Sequence, residues 1–251
     1  MTPSELVDRG ALFVINHSGG KDSQAMTSVV RRMVPADQLV VIHSNLGGAE
    51  WPGVVDHIKS TIGDLPLIVC RNENKTFLEM VERRGMFPSP QQRQCTSDLK
   101  RDPITREIRR YLKANPRFNG LVVNCMGLRS EESPGRAKKQ PLKFSKGNSL
   151  AGREWYDWLP IQSLTLDEVW EEIHNAGQVP HPAYALGMTR LSCVFCIMSS
   201  DSDLRIAAHH NPQLLARYSE VEDRIGRTMM MPRRGVPMTL REIIGAQHGI
   251  P

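Results

Sequence analysis

Four short apolar runs, separated by stretches of helical periodicity, mark the first half of the chain. The runs occupy residues 11–16, 39–45, 67–70 and 121–127. Strands that are buried on both faces have this continuous apolar character, and strands that alternate with helices form parallel sheets. We therefore predict an α/β fold, namely a Rossmann-like parallel sheet with helices on both faces.

Helical periodicity and end signals define the segments between these runs. A helix follows the first run, and a second helix between the third and fourth runs begins with Asp102 as its cap and Pro103 at its first position. The apolar faces of the two helices consist of Ala25, Met26, Val29, Val30 and Met33, and of Ile104, Ile108, Tyr111 and Leu112. Residues 130–153 are rich in Gly, Pro, Ser and Lys, and they predict a long, mobile loop.

The last third of the chain has a helical pattern. A helix is predicted near residues 166–174, and a longer helical region follows from Asp201 onward. We therefore divide the chain into a nucleotide-binding α/β domain, residues 1–160, and a smaller C-terminal helical subdomain, residues 161–251, which contains cysteines.

Composition places the chain among ordinary globular proteins. Apolar residues make up 40% of the sequence and charged residues 24%, which is typical of a domain with a sizeable core. No apolar run approaches the roughly 20 residues of a membrane span, so we expect a cytoplasmic protein with no membrane partner. The odd number of cysteines, five, favours free thiols or metal ligands over a disulfide framework.

Positive charge is concentrated in the middle of the chain. The net charge is +5, yet residues 83–146 contain 16 Lys and Arg against 5 Asp and Glu. On the predicted helix in this region, the basic positions away from the apolar face are Arg106, Arg109, Arg110 and Lys113. A solvated helix face is one explanation, and attraction of a polyanionic partner such as tRNA or DNA is the other.

The segment Ser18-Gly19-Gly20-Lys21-Asp22-Ser23, here called the glycine loop, joins the first apolar run to the first helix. Such a loop places backbone N–H groups and a helix N-terminus around an anion. Two glycines permit close approach, two serine hydroxyls can donate, and the lysine adds positive charge. Asp22 either orients a magnesium ion or caps the helix. We predict a phosphate site, with a tight turn that needs glycine for geometry alone as the alternative.

Several motifs, in the same order along the chain, resemble one family. The glycine loop SGGKDS resembles the pyrophosphate-binding loop of the N-type ATP pyrophosphatases, the adenine nucleotide α-hydrolase-like (PP-loop) superfamily. Within that superfamily, residues 13–196 are similar to the phosphoadenosine phosphosulfate (PAPS) reductase-like family. The further motifs are RQCT with Lys100, GLRSEES with Arg136, LPI followed by DEVW, and HPAY with Gly187 and Arg190 ahead of CVFC.

The resemblance implies roles for individual residues. It implies that the glycine loop holds the phosphates of ATP, or of a related adenylate, together with Mg²⁺, and that the backbone between His43 and Gly47 contacts the base. It also implies that Arg129 and Arg136 face the phosphates, for which surface charge on a loop is the alternative. Asn45 departs from the family, in which an acidic residue is frequent at this position.

Cys193 and Cys196 form a C-x-x-C pair that offers two thiolates to a soft metal. The resemblance places Cys95 beside this pair and so implies a metal site of Cys95, Cys193 and Cys196, with a [4Fe-4S] cluster as the first interpretation. A zinc site completed by His181 and a redox pair without metal are the alternatives. The two remaining cysteines lie in apolar runs, and we expect them in the core.

One motif of the sulfonucleotide reductases in this family, a catalytic cysteine in a Glu-Cys-Gly-x-His tail, is missing, since no cysteine follows Cys196. The resemblance therefore favours an ATP-dependent sulfurtransferase that adenylates an acceptor and inserts sulfur, with Lys21, Asp22, Cys193 and Cys196 as catalytic residues. We expect a tRNA or DNA acceptor and a sulfur or electron donor protein, and a homodimer stays open. A divergent PAPS or adenylyl-sulfate reductase and a nucleotide-binding subunit without turnover are the alternatives.

Overall fold

Six strands form one sheet in the computed structural model, which describes residues 1–232 and 235–246. The strands are β1 (Leu12–Asn16), β2 (Leu39–Ser44), β3 (Leu67–Cys70), β4 (Leu121–Cys125), β5 (Leu142–Phe144) and β6 (Glu154–Trp158). They stand in the order β3-β2-β1-β4-β6-β5, and all neighbouring pairs are parallel except β5 and β6. The predicted Rossmann-like fold is confirmed, and its topological switch point lies between β1 and β4, where such folds bind ligands.

Helices connect the strands and form most of the C-terminal part. Among the described residues they are α1 (Pro3–Asp8), α2 (Lys21–Met33), α3 (Val54–Ile62), α4 (Phe77–Arg84), α5 (Gln94–Thr96), α6 (Asp102–Ala114), α7 (Pro134–Ala137), α8 (Leu166–Asn175), α9 (Asp201–His210), α10 (Pro212–Ile225) and α11 (Leu240–Gly245). Threonine begins α1, α4, α8 and α11, and each of these helices has a glutamate three residues later that completes a capping box. These helix starts are thus encoded locally.

The core of the sheet explains the continuous apolar runs. Side chains of β1, β2 and β4 are buried together with apolar residues of α6, and the cluster consists of Leu12, Val14, Val40, Ile42, Cys70, Ile108, Leu112, Phe118, Val122 and Trp155. Ile104 and Tyr111 pack against it, so the predicted apolar face of this helix is confirmed. In the first predicted helix, four of the five apolar positions are buried or half-buried, but Met33 is 49% exposed.

Two sequence predictions about local structure are wrong. Asp102 does not cap α6, because a π-helical turn, Ser97–Arg101, runs directly into the helix and Asp102 itself has helical backbone angles, φ −68° and ψ −45°. Residues 130–153 are not a continuous loop, because they contain α7 and β5. The sequence of β6, EWYDW, has neither strict alternation nor a long apolar run, so sequence pattern does not predict this strand.

The chain divides into two compact units that are discontinuous in sequence. The first consists of Met1–Ser44, Gly53–Cys70 and Ile104–His181, and the second of Asn45–Pro52, Arg71–Pro103 and Pro182–Pro251. The predicted division into domains is a single cut after residue 160, and it stays a prediction. Within the described ranges, no helix has both the length and the apolar character that a membrane crossing requires.

Candidate functional site

The glycine loop lies at the carboxyl end of β1, in the first compact unit, and opens α2. Gly19 has φ +79°, a left-handed conformation that glycine adopts without strain. Gly20 occupies the N-cap position, and no side chain caps the helix. The N-terminus of α2 therefore has no side-chain cap, which suits the predicted phosphate site.

The two serines of the glycine loop have different surroundings. Ser23 is buried, and its hydroxyl donates to the carbonyl oxygen of Gly20 at 2.8 Å and accepts from the N–H of Ser18 at 3.2 Å. Ser18 is exposed, with its hydroxyl 3.3 Å from that of Ser23. Ser23 thus closes the loop on itself, whereas Ser18 presents its hydroxyl to solvent.

Three charged side chains meet at the first turn of α2. The Asp22 carboxylate lies 2.7 Å from Arg129 Nε and 3.5 Å from Lys21 Nζ. Arg129 also pairs with Glu131, and it is 4% exposed as a residue. Burial lowers the pKa of Arg129, but its hydrogen bonds to the two carboxylates outweigh that effect and raise the pKa. Asp22 bonds to these cations and does not cap the helix, so the capping alternative is wrong.

A buried histidine, His17, holds the backbone of the glycine loop through a hydrogen bond. Gly19 N–H donates to His17 Nδ1 at 3.0 Å, and His43 Nδ1–H donates to the carbonyl oxygen of His17 at 2.9 Å. Burial, and then the neighbouring His57 and His43, lower the pKa of His17 to about 3. His17 is therefore neutral at ordinary pH, and its Nδ1 is free of a proton and able to accept from the loop.

A glycine at the end of β4 allows close packing against the start of α2. A Cβ atom on Gly127 would lie 3.1 Å from the carbonyl oxygen of Asp22 and 3.4 Å from the backbone nitrogen of Ser23. Contacts of that length are tighter than ordinary van der Waals contacts, so any larger residue would displace the first turn of α2. Gly127 thereby positions Arg129, two residues further along, against Asp22.

Three residues of the predicted nucleotide site have other contacts in the structure. The His43 side chain is buried and bonded to His17, as described above. Arg136 pairs with Glu132. Gly47 belongs to the second compact unit, where its N–H donates to Asn45 Oδ1 at 2.6 Å. The structure thus brings Lys21, Asp22 and Arg129 together, while nucleotide contacts of His43, Gly47 and Arg136 stay predictions.

The three predicted ligand cysteines lie in the second compact unit together with Lys100. The charges of Cys95, Cys193 and Cys196 influence one another and that of Lys100. Burial raises the pKa of Cys193 and of Cys95, and Lys100 opposes the rise in both. Cys193 in turn is the main cause of a raised pKa of Lys100, with Cys196, Glu50 and Cys95 adding to it. We call the three cysteines the thiol cluster.

Aromatic side chains pack around the thiol cluster. Phe195, between the two cysteines of the pair, is 1% exposed and meets the Tyr218 ring edge to face at a centroid distance of 5.2 Å. Tyr218 also stacks on Phe77 and Phe87 at 5.8 Å and 6.2 Å. Its hydroxyl is buried and has no hydrogen-bond partner among the described residues. An unpaired buried hydroxyl costs stability and is rare.

A metal centre needs several ligand side chains that converge on one ion or cluster. Within residues 1–232 and 235–246, no three His, Cys, Asp or Glu side chains converge as ligands of a single ion, and the iron–sulfur, zinc and metal-free interpretations all stay predictions. An iron–sulfur cluster is wider than an ion, and its thiolate ligands are correspondingly spread. Three neighbouring thiols and one cation suit such a cluster, which carries negative charge. All five cysteines are free, and Cys70 and Cys125 are buried in strands, as predicted.

Some residues of both regions were missed by sequence reasoning. His17 stands between the first strand and the glycine loop, and that position is the one sequence signal that could have identified it. Lys100 belongs to a motif quoted above, but its spacing from the cysteines does not indicate a shared site. Tyr218 lies in an unremarkable helical segment, so only the structure identifies it.

Comparisons with known proteins agree with this architecture. A model of the phosphoadenosine phosphosulfate reductase domain matches residues 13–199. An uncharacterised 37.8 kDa protein of Escherichia phage 186 is 29% identical over 156 residues, which cover 62% of this chain and 45% of the phage protein. The chain thus spans less than half the length of that relative.

Solved structures are similar at the level of the fold. Phosphoadenylyl-sulfate (PAPS) reductase from Candida auris, in a phosphate complex, aligns with a TM-score of 0.51 and 12% identity over 77% of this chain and 88% of that one. FMN adenylyltransferase from Candida glabrata, with FMN and an ATP analogue, aligns with a TM-score of 0.47 and 15% identity over 74% and 54%. At 12% identity, the reductase shows a shared fold and no more.

Proposed function

The chain belongs to the phosphoadenosine phosphosulfate reductase domain family, and from that premise we propose that it is an enzyme that binds ATP at the glycine loop and acts at the α-phosphorus. The observation that carries this proposal is the arrangement at the start of α2. An uncapped helix N-terminus lies beside Asp22, and Lys21 and Arg129 flank that carboxylate. Phosphate oxygens bind to such N–H groups and cations.

The same residues suit cleavage of the bond to the α-phosphorus. When pyrophosphate leaves, negative charge grows on its oxygens, and cations held in place lower the energy of that transition state. Lys21 and Arg129 are buried and need little rearrangement. Asp22 can divide its carboxylate between these cations and a Mg²⁺ ion bound with the nucleotide.

We propose that the reaction is a sulfur transfer. An acceptor oxygen attacks the α-phosphorus, pyrophosphate leaves, and a sulfur nucleophile from a donor protein then displaces AMP. Cys95, Cys193 and Cys196 would hold a [4Fe-4S] cluster, which when bound would supply an iron site for the sulfur. This chain would supply the three thiol groups, and the ammonium of Lys100 favours the thiolate forms of Cys193 and Cys95.

A divergent sulfonucleotide reductase is the second candidate. The family match itself favours it, and the cysteines of the thiol cluster would then act as redox thiols on PAPS or adenylyl sulfate. A nucleotide-binding subunit without turnover would bind the nucleotide and change neither substrate. Product analysis separates the three candidates, since sulfur transfer releases AMP and pyrophosphate, reduction releases sulfite, and a subunit without turnover releases nothing.

Calorimetry with ATP, and in parallel with PAPS, in the presence of Mg²⁺ tests nucleotide binding. Loss of a charge-assisted hydrogen bond costs about 1.5–3 kcal/mol, so Lys21→Ala should weaken ATP binding by about tenfold or more. Lys59→Ala, which removes the same charge from an exposed position on α3, is the matched control and should bind like the parent. Undetectable binding of adenine nucleotides by the parent would refute the proposal.

Iron and sulfide analysis after anaerobic purification tests the thiol cluster. Replacing Cys95, Cys193 or Cys196 by Ala should abolish iron incorporation. Cys70→Ala and Cys125→Ala are the controls, because both thiols are buried in strands and should affect packing alone. A full iron content in Cys95→Ala would contradict the shared site, and a parent protein without iron after reconstitution would leave the redox reading of the thiols in its place.

A further inference from the structure

The basic residues predicted on α6 form two groups in the structure. One group is paired with an acidic side chain, and among the described residues the other is not. Arg106 and Arg110 both bond to Glu107, with Nε and Nη1 at 3.1 Å and 2.8 Å from the same carboxylate oxygen. One of their two positive charges is thus balanced within the helix. Arg109, on the neighbouring face, bonds only to the neutral side chain of Asn148 at 3.4 Å among the contacts of the described residues.

The bond to Asn148 joins α6 to the connection between β5 and β6. Asn148 belongs to a tight turn in which its N–H and that of Ser149 both donate to the carbonyl oxygen of Ser145. Lys146 lies in that turn and is exposed. Arg109 and Lys146 are therefore neighbours on one surface of the first compact unit.

Two further lysines extend this surface. Lys113 lies four residues after Arg109 and is exposed, and residues four apart share a helix face. Lys143 pairs in register with Asp157 on β6, and Asp157 accepts from Trp155 Nε1. Since Trp155 packs in the same cluster as Ile108 and Leu112 of α6, Lys143 lies on the α6 side of the sheet.

Acidic groups do little to neutralise these four cations. Asp157 is the acid opposite Lys143, but its carboxylate accepts hydrogen bonds from Asn124 and Trp155, and no ion pair joins it to Lys143 in the described part of the chain. Glu131 and Glu132, the two acids between Arg109 and Arg153 in sequence, pair with Arg129 and Arg136. The surface therefore has a net positive charge.

From this arrangement we infer that Arg109, Lys113, Lys143 and Lys146 form a surface that binds the phosphate backbone of a nucleic acid. The surface is cationic on two adjoining elements, and α6 carries none of the exposed large apolar side chains of the described chain. Phe144 and Leu150 are exposed on the segment with the two lysines, but Phe144 directly follows Lys143 on β5 and so lies on the opposite face of the sheet. Interfaces with nucleic acid are polar and positively charged, whereas the centre of a protein interface is apolar. This inference rests on the proposed function, in which the bound nucleic acid would be the acceptor of the sulfur.

The test measures binding of a fluorescent tRNA and of a DNA duplex by anisotropy across a range of salt concentrations. Each phosphate contact contributes a slope of about −0.9 to log K against log salt on duplex DNA. The double variant Lys143→Ala/Lys146→Ala should therefore reduce the slope by almost two and weaken binding at low salt. Arg110→Ala removes one of the two charges that share the Glu107 carboxylate, so it should change slope and affinity less per charge than the lysine double variant does.

A variant with the opposite effect sharpens the test. Glu107→Gln removes the negative charge that Arg106 and Arg110 share, so it should tighten binding and steepen the slope. Equal slopes for the parent and the lysine double variant would overturn the inference. Equal or tighter binding of polyglutamate, or of vesicles that contain phosphatidylserine, would also overturn it by showing another partner.

Calorimetry with ATP on the same variants separates this inference from the proposed function. The double variant should bind ATP like the parent, because neither lysine lies in the glycine loop. Failure of the parent to bind ATP would refute the proposed function and leave the salt slope standing. A flat slope with normal ATP binding would refute only the nucleic-acid surface. Thermal melts of every variant confirm that folding is intact.

Discussion

The glycine loop and the thiol cluster are held in place by different forces. In the loop, neutral polar groups and one ion-paired set fix the backbone: His17 accepts from Gly19, Ser23 bonds to Gly20, and Arg129 bonds to Asp22. Around the thiol cluster, apolar rings provide the packing, and the Tyr218 hydroxyl has no partner within the described part of the chain.

This difference indicates which kind of ligand each region can bind. In the loop, hydrogen bonds hold the backbone so that α2 begins without a side-chain cap, which suits a phosphate. Burial raises the pKa of Cys95 and of Cys193, so these thiols keep their protons until a metal or cluster takes the protons' place. Substitutions should therefore affect the two regions through different quantities.

The largest effect is expected where rings provide the packing. Phe195→Ala should lower the free energy of unfolding by about 3–5 kcal/mol, because it leaves a cavity at a fully buried site. Urea unfolding measures it. Phe144→Ala, at a phenylalanine that is 47% exposed, is the control and should cost much less. A loss below about 1 kcal/mol in Phe195→Ala would mean that aromatic packing does not hold this region.

In the glycine loop, the ion pair should give the next largest effect. Arg129→Ala should cost about 3 kcal/mol, the lower end for breaking a buried pair, because Asp22 keeps Lys21 as a partner. Arg136→Ala removes a more exposed arginine, with 28% of its side chain accessible, and should cost at most about 1 kcal/mol. Similar losses in the two variants would show that burial of Arg129 adds nothing.

The free energy of unfolding should depend on pH through His17, which lies beside the glycine loop. Its pKa is about 3 in the folded protein and near its ordinary value of 6.5 when unfolded, so the unfolded state binds the proton first as pH falls. Stability should therefore be complete above pH 6.5 and decline below it, toward pH 3, by about 1.4 kcal/mol per pH unit from this group at most.

Urea midpoints at several pH values measure that decline, with His17→Asn as the comparison. The variant should be less stable at neutral pH, since the Gly19 contact changes, but its stability should fall less steeply between pH 6.5 and 4. His210→Asn, at an exposed position on α9, should keep the parent's slope. An unchanged slope in His17→Asn would remove His17 from this role.

The smallest effect is expected from two hydroxyl deletions. Tyr218→Phe should change stability by less than about 1 kcal/mol, and in the stabilising direction, because the lost hydroxyl has no partner. Thr27→Val removes a buried hydroxyl that donates to the Ser23 carbonyl oxygen at 2.8 Å and should cost about 1 kcal/mol. Equal destabilisation by both would show that the Tyr218 hydroxyl has a partner in solution.

Much of the fold could be predicted from local pattern. The first four strands, the starts of α2 and α8 and the apolar face of α6 depend on periodicity and on signals within a few residues. The strands β5 and β6 could not be predicted, because β5 has only three residues and is identified by its pairing with β6. The π-helical turn that precedes α6 could not be predicted either. Pro103 directly after Asp102 is an ordinary signal for a helix start, so the sequence indicates that the helix begins there.

The candidate sites divide along the same line. The sequence alone determined the glycine loop, because its conformation depends on two glycines and a helix start that are contiguous in the chain. The tertiary structure decided that Arg129 meets Asp22 across 107 residues of sequence, that His17 is neutral and that Lys100 lies among the thiols. These properties arise from burial and from charges on distant segments, and neither exists until the chain has folded.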